Sequence, residues 1–387
     1  MKIDTLRLRN FRNYQEIVLS PHEGVNLFFG QNGSGKTNLL EAIHYCALGK
    51  SHRVSNDSSV VRIGETSAAI SLTVRNQWIS QEISVRLTPS EEQKKVICLN
   101  QKKIQRFSDM MGCLQCVIFS PEDLGLIKEG PSMRRKYLDM MISQINKKYF
   151  IALQQFRTGL EQRNAILKNI RQNQMKISML EDFEKSMVIP AVMIMEERKK
   201  TVEKLKILSE QTYRKISDHE DEQFHMEYHP SVRDEGETAE SLIRALEKSR
   251  EDDIRLGQTS VGPHRDDLMI WLNKKNMKIY ASQGQIRTAA LSLKLAQMKY
   301  LKENSGETPV LLLDDVMSEL DKSRRTRLLN EIENFQTFIT GTNESDLEED
   351  PTKRVYQVSM VNGIAKVDET NQGKGIEKPV FSEPDFS

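Results

Sequence analysis

Residues 30–37 have the types and spacing of a phosphate-binding loop. They are Gly30, Gln31, Asn32, Gly33, Ser34, Gly35, Lys36 and Thr37, which fit the pattern G-x-x-x-x-G-K-[ST]. Glycines let such a loop wrap its amides toward phosphates, and the N-terminus of the following helix adds positive potential. Lys36 is expected to neutralise charge on the β and γ phosphates, and the Thr37 hydroxyl is expected to bind Mg²⁺. The loop therefore predicts a site for ATP and Mg²⁺.

A second set of residues with the right chemistry ends an apolar strand. The run Val310 to Leu313 is followed by Asp314 and Asp315. Acids at the carboxyl end of a buried strand in an α/β sheet lie beside the phosphate loop. Asp314 is therefore predicted to contact the Mg²⁺ coordination sphere through water, and Asp315 is the candidate that polarises the attacking water. Ordinary surface acids are the alternative for such a strand considered alone, and the phosphate loop weakens that alternative.

A third motif opens a predicted helix at residues 282–285. Its sequence is Ser282-Gln283-Gly284-Gln285, followed by a run rich in Ala and Leu. Ser282 could cap the helix and Gly284 permits the close approach of a phosphate, so Ser282, Gly284 and Gln285 are further candidates for nucleotide binding. Taken alone, the motif is better explained as a plain helix N-cap.

Hydrophobic periodicity predicts an α/β fold that positions these residues. A helix with one buried face is predicted from Lys36. Strands are predicted at residues 2–19 at a sheet edge, at 25–29, within 68–99 as antiparallel sheet, and at 268–272, 279–281 and 310–313. Strand, glycine-rich turn and helix thus occur in the order that a phosphate site requires.

The middle of the chain is charged and rich in Met, with apolar residues at helical spacing. Segments 154–170 and 180–216 could form an antiparallel helical arm, in which Pro190 caps or kinks the second helix. The sheet domain is therefore predicted to be split: residues 1–125 form its first part, 126–255 an inserted helical lobe, and 256–366 its second part. Residues 367–387 are predicted to be a disordered tail, because they carry little to bury.

Composition limits how the chain could bind nucleic acid and which cellular compartment it could occupy. With 56 Lys and Arg against 55 Asp and Glu in 387 residues, the formal charge of +1 gives no whole-protein field for anionic partners. Contacts to nucleic acid must therefore come from local patches, such as Lys102 with Lys103, Arg134 with Arg135, and the basic residues of 322–327, each of which alone is more often a solvated face. The four cysteines are too sparse for a secreted scaffold. Since no apolar run of about 18 residues occurs either, a cytoplasmic protein without membrane spans is expected.

The three motifs in this order resemble the ATPase heads of the ABC type, with residues 282–285 as the signature helix and 318–321 as the D-loop. Further motifs narrow the resemblance to the RecF family of bacterial DNA replication and repair proteins, and it covers residues 1 to about 366. These motifs are Leu8-Arg9-Asn10-Phe11-Arg12-Asn13-Tyr14, Lys50-Ser51-His52-Arg53, Phe119-Ser120-Pro121-Glu122-Asp123-Leu124, Arg134-Arg135-Lys136-Tyr137-Leu138-Asp139 and Gly262-Pro263-His264-Arg265-Asp266-Asp267.

The resemblance implies a two-lobed ATPase that forms a homodimer on ATP. It also implies binding to double-stranded and gapped DNA, with single-stranded DNA bound more weakly, and help in loading a recombinase through the RecO and RecR mediators. By position, Ser282 of one subunit would contact the ATP of the other. The site would then be complete only in the dimer, as with an arginine finger, which is worth about 10³ to 10⁵ in rate.

Two departures from the wider ABC pattern predict slow hydrolysis, and the resemblance implies that DNA stimulates it. Asp315 replaces the usual Glu and has a shorter reach, and the segment around Thr340 carries no His. Since a positioned base contributes about 10²- to 10⁴-fold, we expect a switch that ATP holds closed rather than a motor. Two alternatives are an ATPase subunit of a membrane transporter and a chromosome-organising head. The wide separation of Thr37 from Ser282 argues against the first, and the short helical insertion argues against the second.

Overall fold

The computed structural model describes residues 1–219, 221–232, 238–343 and 353–370. Most of the predicted tail, from residue 371 onward, lies outside the described residues. The strands are β1 (Lys2–Phe11), β2 (Tyr14–Leu19), β3 (Val25–Phe29), β4 (Ala68–Arg75), β5 (Ser80–Leu87), β6 (Lys95–Leu99), β7 (Lys102–Lys103), β8 (Cys116–Phe119), β9 (Phe224–His229), β10 (Asp267–Leu272), β11 (Lys275–Asn276), β12 (Val310–Leu313), β13 (Thr337–Gly341), β14 (Arg354–Val361) and β15 (Ile364–Glu369). The α-helices are α1 (Lys36–Leu48), α2 (Gly125–Lys128), α3 (Pro131–Ser143), α4 (Lys147–Arg171), α5 (Leu180–Ile216), α6 (Thr238–Leu256), α7 (Met277–Tyr280), α8 (Gln283–Ser305) and α9 (Lys322–Ile332).

The chain divides into two compact units. The first comprises Met1–Asp123 with Lys294–Ser387, and the second comprises Leu124–Leu293. The first boundary lies close to the predicted one at residue 125. The second differs from the prediction at residue 255, because β10 pairs with β9 and β11 in a small sheet of the second unit. At the end of the chain, residues 367–369 belong to β15 rather than to a tail, since they pair with β14.

The first unit contains a mixed sheet that positions the predicted phosphate site. Its strand order is β15-β14-β3-β13-β12-β8, in which β15 is antiparallel to β14 and the other neighbours are parallel. The carboxyl ends of β3, β13 and β12 therefore meet at one edge of the sheet. Strand β12 is buried throughout, as expected for a parallel strand covered on both faces.

A second sheet of the first unit is antiparallel, in the order β2-β1-β4-β5-β6-β7. Residues 2–19 were predicted as a strand at a sheet edge, but they form two strands, and β1 lies between β2 and β4. Within β1 both Ile3 and Leu6 are buried although they are three residues apart. A register shift between Ile3 and Thr5 restores the alternation, so both side chains face the core.

The predicted helical arm is present in the second unit. Helices α4 and α5 pack along each other, with Gly159 against Met187 and Arg163 against Glu184, so the two helices run antiparallel. A Cβ atom at Gly159 would lie 2.6 Å from Met187 Cγ, so this glycine permits the close helix contact. Pro190 lies inside α5, which continues to Ile216.

Arg163 is the centre of a buried ionic network in this lobe. Its side chain is fully buried, and Nη1 donates to Asp253 Oδ2 (2.7 Å) and Thr259 Oγ1 (2.9 Å), while Nη2 donates to Glu184 Oε1 (2.8 Å). Removing one partner from such a network leaves buried charge without compensation. We expect Arg163→Met to destabilise the protein by about 3–5 kcal/mol, measured as a lowered urea midpoint.

Arg244→Met is the matched control for this prediction, because Arg244 is exposed and its pair with Glu240 (3.3 Å) lies on the surface of α6. An exposed pair of this kind contributes at most about 1 kcal/mol. Equal urea midpoints for the two variants would contradict the structural role of Arg163.

One predicted strand is wrong. Residues 279–281, expected to be a strand, lie at the end of helix α7 and just after it, and the Asn276 side chain caps this helix by accepting from Lys278 N (2.9 Å). The cap satisfies a backbone amide that a strand would have paired. Across the described ranges, no helix is both long and apolar enough to cross a bilayer.

Candidate nucleotide site

The phosphate loop connects β3 to α1, as predicted. Gly33 and Gly35 have φ angles of 82° and 111°, which glycine adopts readily. A Cβ atom at Gly35 would lie 2.6 Å from Asn13 Nδ2, and one at Gly30 would lie 2.1 Å from the Val358 carbonyl oxygen. The loop therefore favours glycine for two reasons: the positive φ angles at Gly33 and Gly35, and the close approach of Asn13 and Val358 to Gly35 and Gly30.

Asp314 lies at the carboxyl end of β12 and is the centre of the site. Thr37 Oγ1 donates to Asp314 Oδ1 over 2.8 Å, although the two residues are 277 positions apart in sequence. Thr340 Oγ1, from β13, donates to the same oxygen over 2.7 Å. Strand β13 lies between β3 and β12, so Thr340 fills the gap between the phosphate loop and the acid.

The lysine of the loop is buried beside both acids. Lys36 is 4% exposed, and its Nζ donates to the carbonyls of Gly30 (2.8 Å) and Gln31 (3.0 Å). Burial lowers the pKa of Lys36, and the charges of Asp315 and Asp314 oppose that shift. Burial also disfavours the charged form of Asp314 and therefore raises its pKa, although hydrogen bonds from Thr340 and Thr37 oppose this shift. Added negative charge would favour the charged form of Lys36, and a cation would favour ionised Asp314.

The residues of the loop fit a phosphate group. Helix α1 begins at Lys36 with no side-chain cap on its first turn and no acidic residue there. Such a helix start is suited to an anion. Among the described residues, Ser34 Oγ is buried with no hydrogen-bond partner, so this hydroxyl can donate to a bound anion. Oxygen ligands from Thr37 and Asp314 are those that Mg²⁺ prefers, so the site fits the metal as well.

Side chains of the first unit brace the loop from outside. Asn13 Nδ2 donates to the Ser34 carbonyl (3.2 Å), and Tyr14 OH donates to the Gly35 carbonyl (3.1 Å). Arg12 holds Glu41 of α1 through two hydrogen bonds of 2.8 and 2.6 Å. Burial raises the pKa of Glu41, but the hydrogen bonds from Arg12 and Ser51 outweigh it and hold the pKa below its usual range. Glu41 thus remains a carboxylate that fixes α1 relative to β1.

Asp315 occupies an unusual backbone conformation next to the site. Its φ of 52° is rare for a residue with a side chain, and its amide donates to Thr340 Oγ1 (2.9 Å). Its carbonyl accepts from Ser318 Oγ (2.8 Å), which belongs to the predicted D-loop. Such strain is maintained only where the surroundings enforce it, and it clusters at functional sites.

The third predicted motif lies in the second unit, at the start of α8. Ser282 Oγ accepts from Gln285 N (3.3 Å), and Gln285 Oε1 accepts from Ser282 N (2.8 Å), which is a reciprocal capping box. Ser282 is exposed, while Gly284 and Gln285 are half-buried. The expected N-cap is therefore present, and its serine is accessible.

The basic patches have different environments. Arg134 is buried and donates to both oxygens of Asp267, so it stabilises the second unit rather than forming a solvated face. Arg324 pairs with Asp321 at the start of α9 (2.6 Å). Lys102 and Lys103 are exposed on the short strand β7. Lys322, at the start of α9, is exposed as well, so both of these patches are accessible.

Sequence reasoning missed the roles of Thr340 and Asn13. The segment around Thr340 was considered only because it contains no His. Asn13 lies in the motif of residues 8–14, for which no function was predicted. A polar residue near the end of the strand beside β12 was the available signal for Thr340. Nothing in the sequence alone places Asn13 against the loop.

Comparison with known proteins agrees with this geometry. Residues 2–366 match the family model described as the RecF/RecN/SMC N terminal domain. The DNA replication and repair protein RecF of Clostridium novyi is 39% identical over 363 residues, covering 94% of this chain and 99% of that protein. RecF of Clostridium perfringens is 40% identical over 365 residues, covering 94% of this chain and 99% of that protein.

Solved structures give the same result for the fold. A structure of the recombination mediator protein RecF with ATP, in the RecFOR pathway, superposes with a TM-score of 0.87 at 39% identity, covering 95% of this chain and 97% of that one. An SMC head bound to the C-winged helix domain of ScpA has a TM-score of 0.58 at 17% identity over 96% of this chain and 98% of that one, which shows the shared fold alone. The chain is thus an α/β protein with the ATPase-head fold of these neighbours, and it belongs to the RecF family of DNA replication and repair proteins.

Proposed function

We propose that this chain is a DNA-binding ATPase of recombinational repair and replication restart, acting in the cytoplasm. The observation that carries the proposal is the convergence of Thr37, Asp314 and Thr340 beside the phosphate loop. The neighbouring RecF structure with ATP supports the choice of nucleotide.

In the proposed mechanism, Lys36 and the start of α1 bind the β and γ phosphates, while Ser34 donates a hydrogen bond to them. Thr37 and Asp314 would hold Mg²⁺, which supplies charge neutralisation at the phosphates. Asp315 orients the attacking water. Its side chain is shorter than that of the glutamate usual at this position, which supports slow hydrolysis, so that ATP serves as a switch.

Dimerisation completes the proposed site. Ser282 and Gly284 of one subunit meet the ATP of its partner, and Gln285 supports that contact. A single-turnover experiment tests the switch: hydrolysis should be no faster than opening of the dimer. Hydrolysis that clearly outpaces dimer opening would show a different cycle.

The proposed partners are double-stranded and gapped DNA, with weaker binding to single strands, and the RecO and RecR mediators. The RecFOR pathway in the description of the neighbouring structure supports this assignment. The DNA-bound dimer would help to load a recombinase, and DNA would stimulate its hydrolysis.

Filter binding to gapped DNA tests the DNA partner. Since contacts to phosphates release counterions, affinity should fall about 10³-fold between 50 and 200 mM salt if about six phosphates are contacted. Binding should be stronger with ATP, because the dimer presents two copies of each basic patch, and scrambling the base sequence should change little. A flat salt dependence, or equal affinity with and without ATP, would refute the proposal.

A further inference from the structure

Glu222 lies outside the proposed nucleotide site, but its side chain is held in one position by several hydrogen bonds. It lies between α5 and β9 in the second unit, and its carboxylate accepts three side-chain hydrogen bonds. Oε1 accepts from Gln285 Nε2 (2.7 Å), while Oε2 accepts from Tyr213 OH (2.7 Å) and Ser217 Oγ (2.9 Å). Glu222 is half-buried, and these three donors replace water that would otherwise solvate its carboxylate.

Gln285 connects Glu222 to the backbone at the start of α8. The other end of the same amide, Gln285 Oε1, accepts from Ser282 N (2.8 Å). Glu222 therefore holds Gln285, and Gln285 holds the backbone of Ser282. On the other side, Lys128 Nζ donates to Gln283 Oε1 (2.8 Å), so the 282–285 turn is held from two directions.

The charge of Glu222 decides how the Gln285 amide is oriented. Burial raises the pKa of Glu222, but hydrogen bonds from Gln285, Tyr213 and Ser217 outweigh it and lower the pKa below its usual range. The ionised carboxylate is only an acceptor, so it must face the NH₂ group of Gln285. The amide oxygen is then directed to Ser282 N. Without this partner, the glutamine would sample several rotamers and both amide orientations.

We propose that Glu222 is a positioning residue that fixes the 282–285 turn for contact with the ATP of a partner subunit. This inference rests on the proposed function, because it assigns Glu222 a role in the dimer-completed site. Tyr213 and Ser217 lie at the end of α5, so the helical lobe itself supports the orientation of Ser282.

The test uses the full-length chain with Glu222→Ala and Glu222→Gln. Glu222→Ala should weaken the ATP-dependent dimer by about tenfold and lower kcat similarly, the loss of about one charge-assisted hydrogen bond. Uptake of Mg·ATP by dilute monomer should not change, because the phosphate loop belongs to the first unit. Glu222→Gln keeps an oxygen that can accept from Gln285 but loses the charge and adds an NH₂ group, so it should recover only part of the dimer affinity.

Glu227→Ala is the matched control, since Glu227 is an exposed glutamate of β9 in the same unit. It should dimerise as the wild type does. If Glu222→Ala proves poorly folded by circular dichroism, Tyr213→Phe removes one donor to Glu222 and should produce a smaller loss of dimer affinity in the same direction.

The outcomes separate this inference from the proposed function. Wild-type levels of dimer and kcat in a folded Glu222→Ala, or in a folded Tyr213→Phe should the alanine variant not fold, would overturn the role of Glu222 alone. The role of Glu222 would also be overturned if the variant monomer lost as much affinity for Mg·ATP as the variant dimer loses in stability, because a positioning role acts only in the dimer. Failure of the wild-type chain to bind Mg·ATP or to dimerise would instead remove the proposed function.

Discussion

Replacing Lys36 with alanine is expected to reduce the affinity for Mg·ATP by about 10²- to 10³-fold and to abolish ATP-dependent dimerisation. The ammonium group is the buried cation of the loop and sits beside the carbonyls of Gly30 and Gln31. A charge-assisted hydrogen bond contributes about 1.5–3 kcal/mol, and the phosphates would lose more than one. Calorimetric titration with Mg·ATP and size-exclusion chromatography with and without ATP measure the two effects.

Lys36→Arg should fail in nearly the same way. Lys36 is 4% exposed, so a larger planar guanidinium cannot replace its ammonium group without displacing the loop. Lys102→Ala, on the exposed strand β7, is the control for loss of one positive charge and should bind the nucleotide normally. A Lys36→Ala protein that still dimerises with ATP would show that the nucleotide site is elsewhere.

Replacing Asp314 with asparagine is expected to lower hydrolysis by about 10²- to 10³-fold while raising the stability of the nucleotide-free protein. The first effect follows because a preorganised charge at a reacting phosphate is worth about this much in rate. The second follows because burial raises the pKa of Asp314, so keeping it ionised costs stability at every pH above that raised pKa. Asparagine is neutral, and its Oδ1 can still accept from Thr37 and Thr340.

The gain in stability should be present near neutral pH and should shrink as the pH falls through the raised pKa of Asp314. Thermal unfolding without nucleotide at several pH values measures it, and phosphate release measures hydrolysis. Asp321→Asn is the control, because hydrogen bonds from Arg324 lower the pKa of Asp321 and its ionised form stabilises the fold. Lower stability of Asp314→Asn at neutral pH would contradict a buried carboxylate whose ionised form costs stability at this position.

The motifs and most of the regular elements could be predicted because they depend on local sequence. Strand β3, the glycine-rich turn and α1 were expected in the right order from periodicity and glycine spacing. The buried run of β12 was recognised for the same reason. Residues 279–281 were misassigned because three apolar or small residues do not distinguish a strand from a short helix, and the cap at Asn276 decided the outcome.

Contacts between distant segments could not be predicted in detail. Residues 256–293 were placed in the head because strand signals return there, whereas pairing of β10 with β9 puts them in the second unit. Arg134 was expected on a solvated face or at a contact with nucleic acid, yet Asp267 neutralises it in the interior of that unit. Which partner a charged residue finds depends on the packing of elements far apart in sequence, and no local pattern records it.

Neighbouring residues encode the glycine-rich loop, the acid-ended strand and the capped helix, so each of the three could be predicted from local sequence. Long-range packing places β13 between β3 and β12, and this puts Thr340 between Thr37 and Asp314. It also decided that Glu222 meets Gln285. Such contacts cannot be predicted from local sequence, because strand order and helix packing are set by burial of apolar surface over the whole unit.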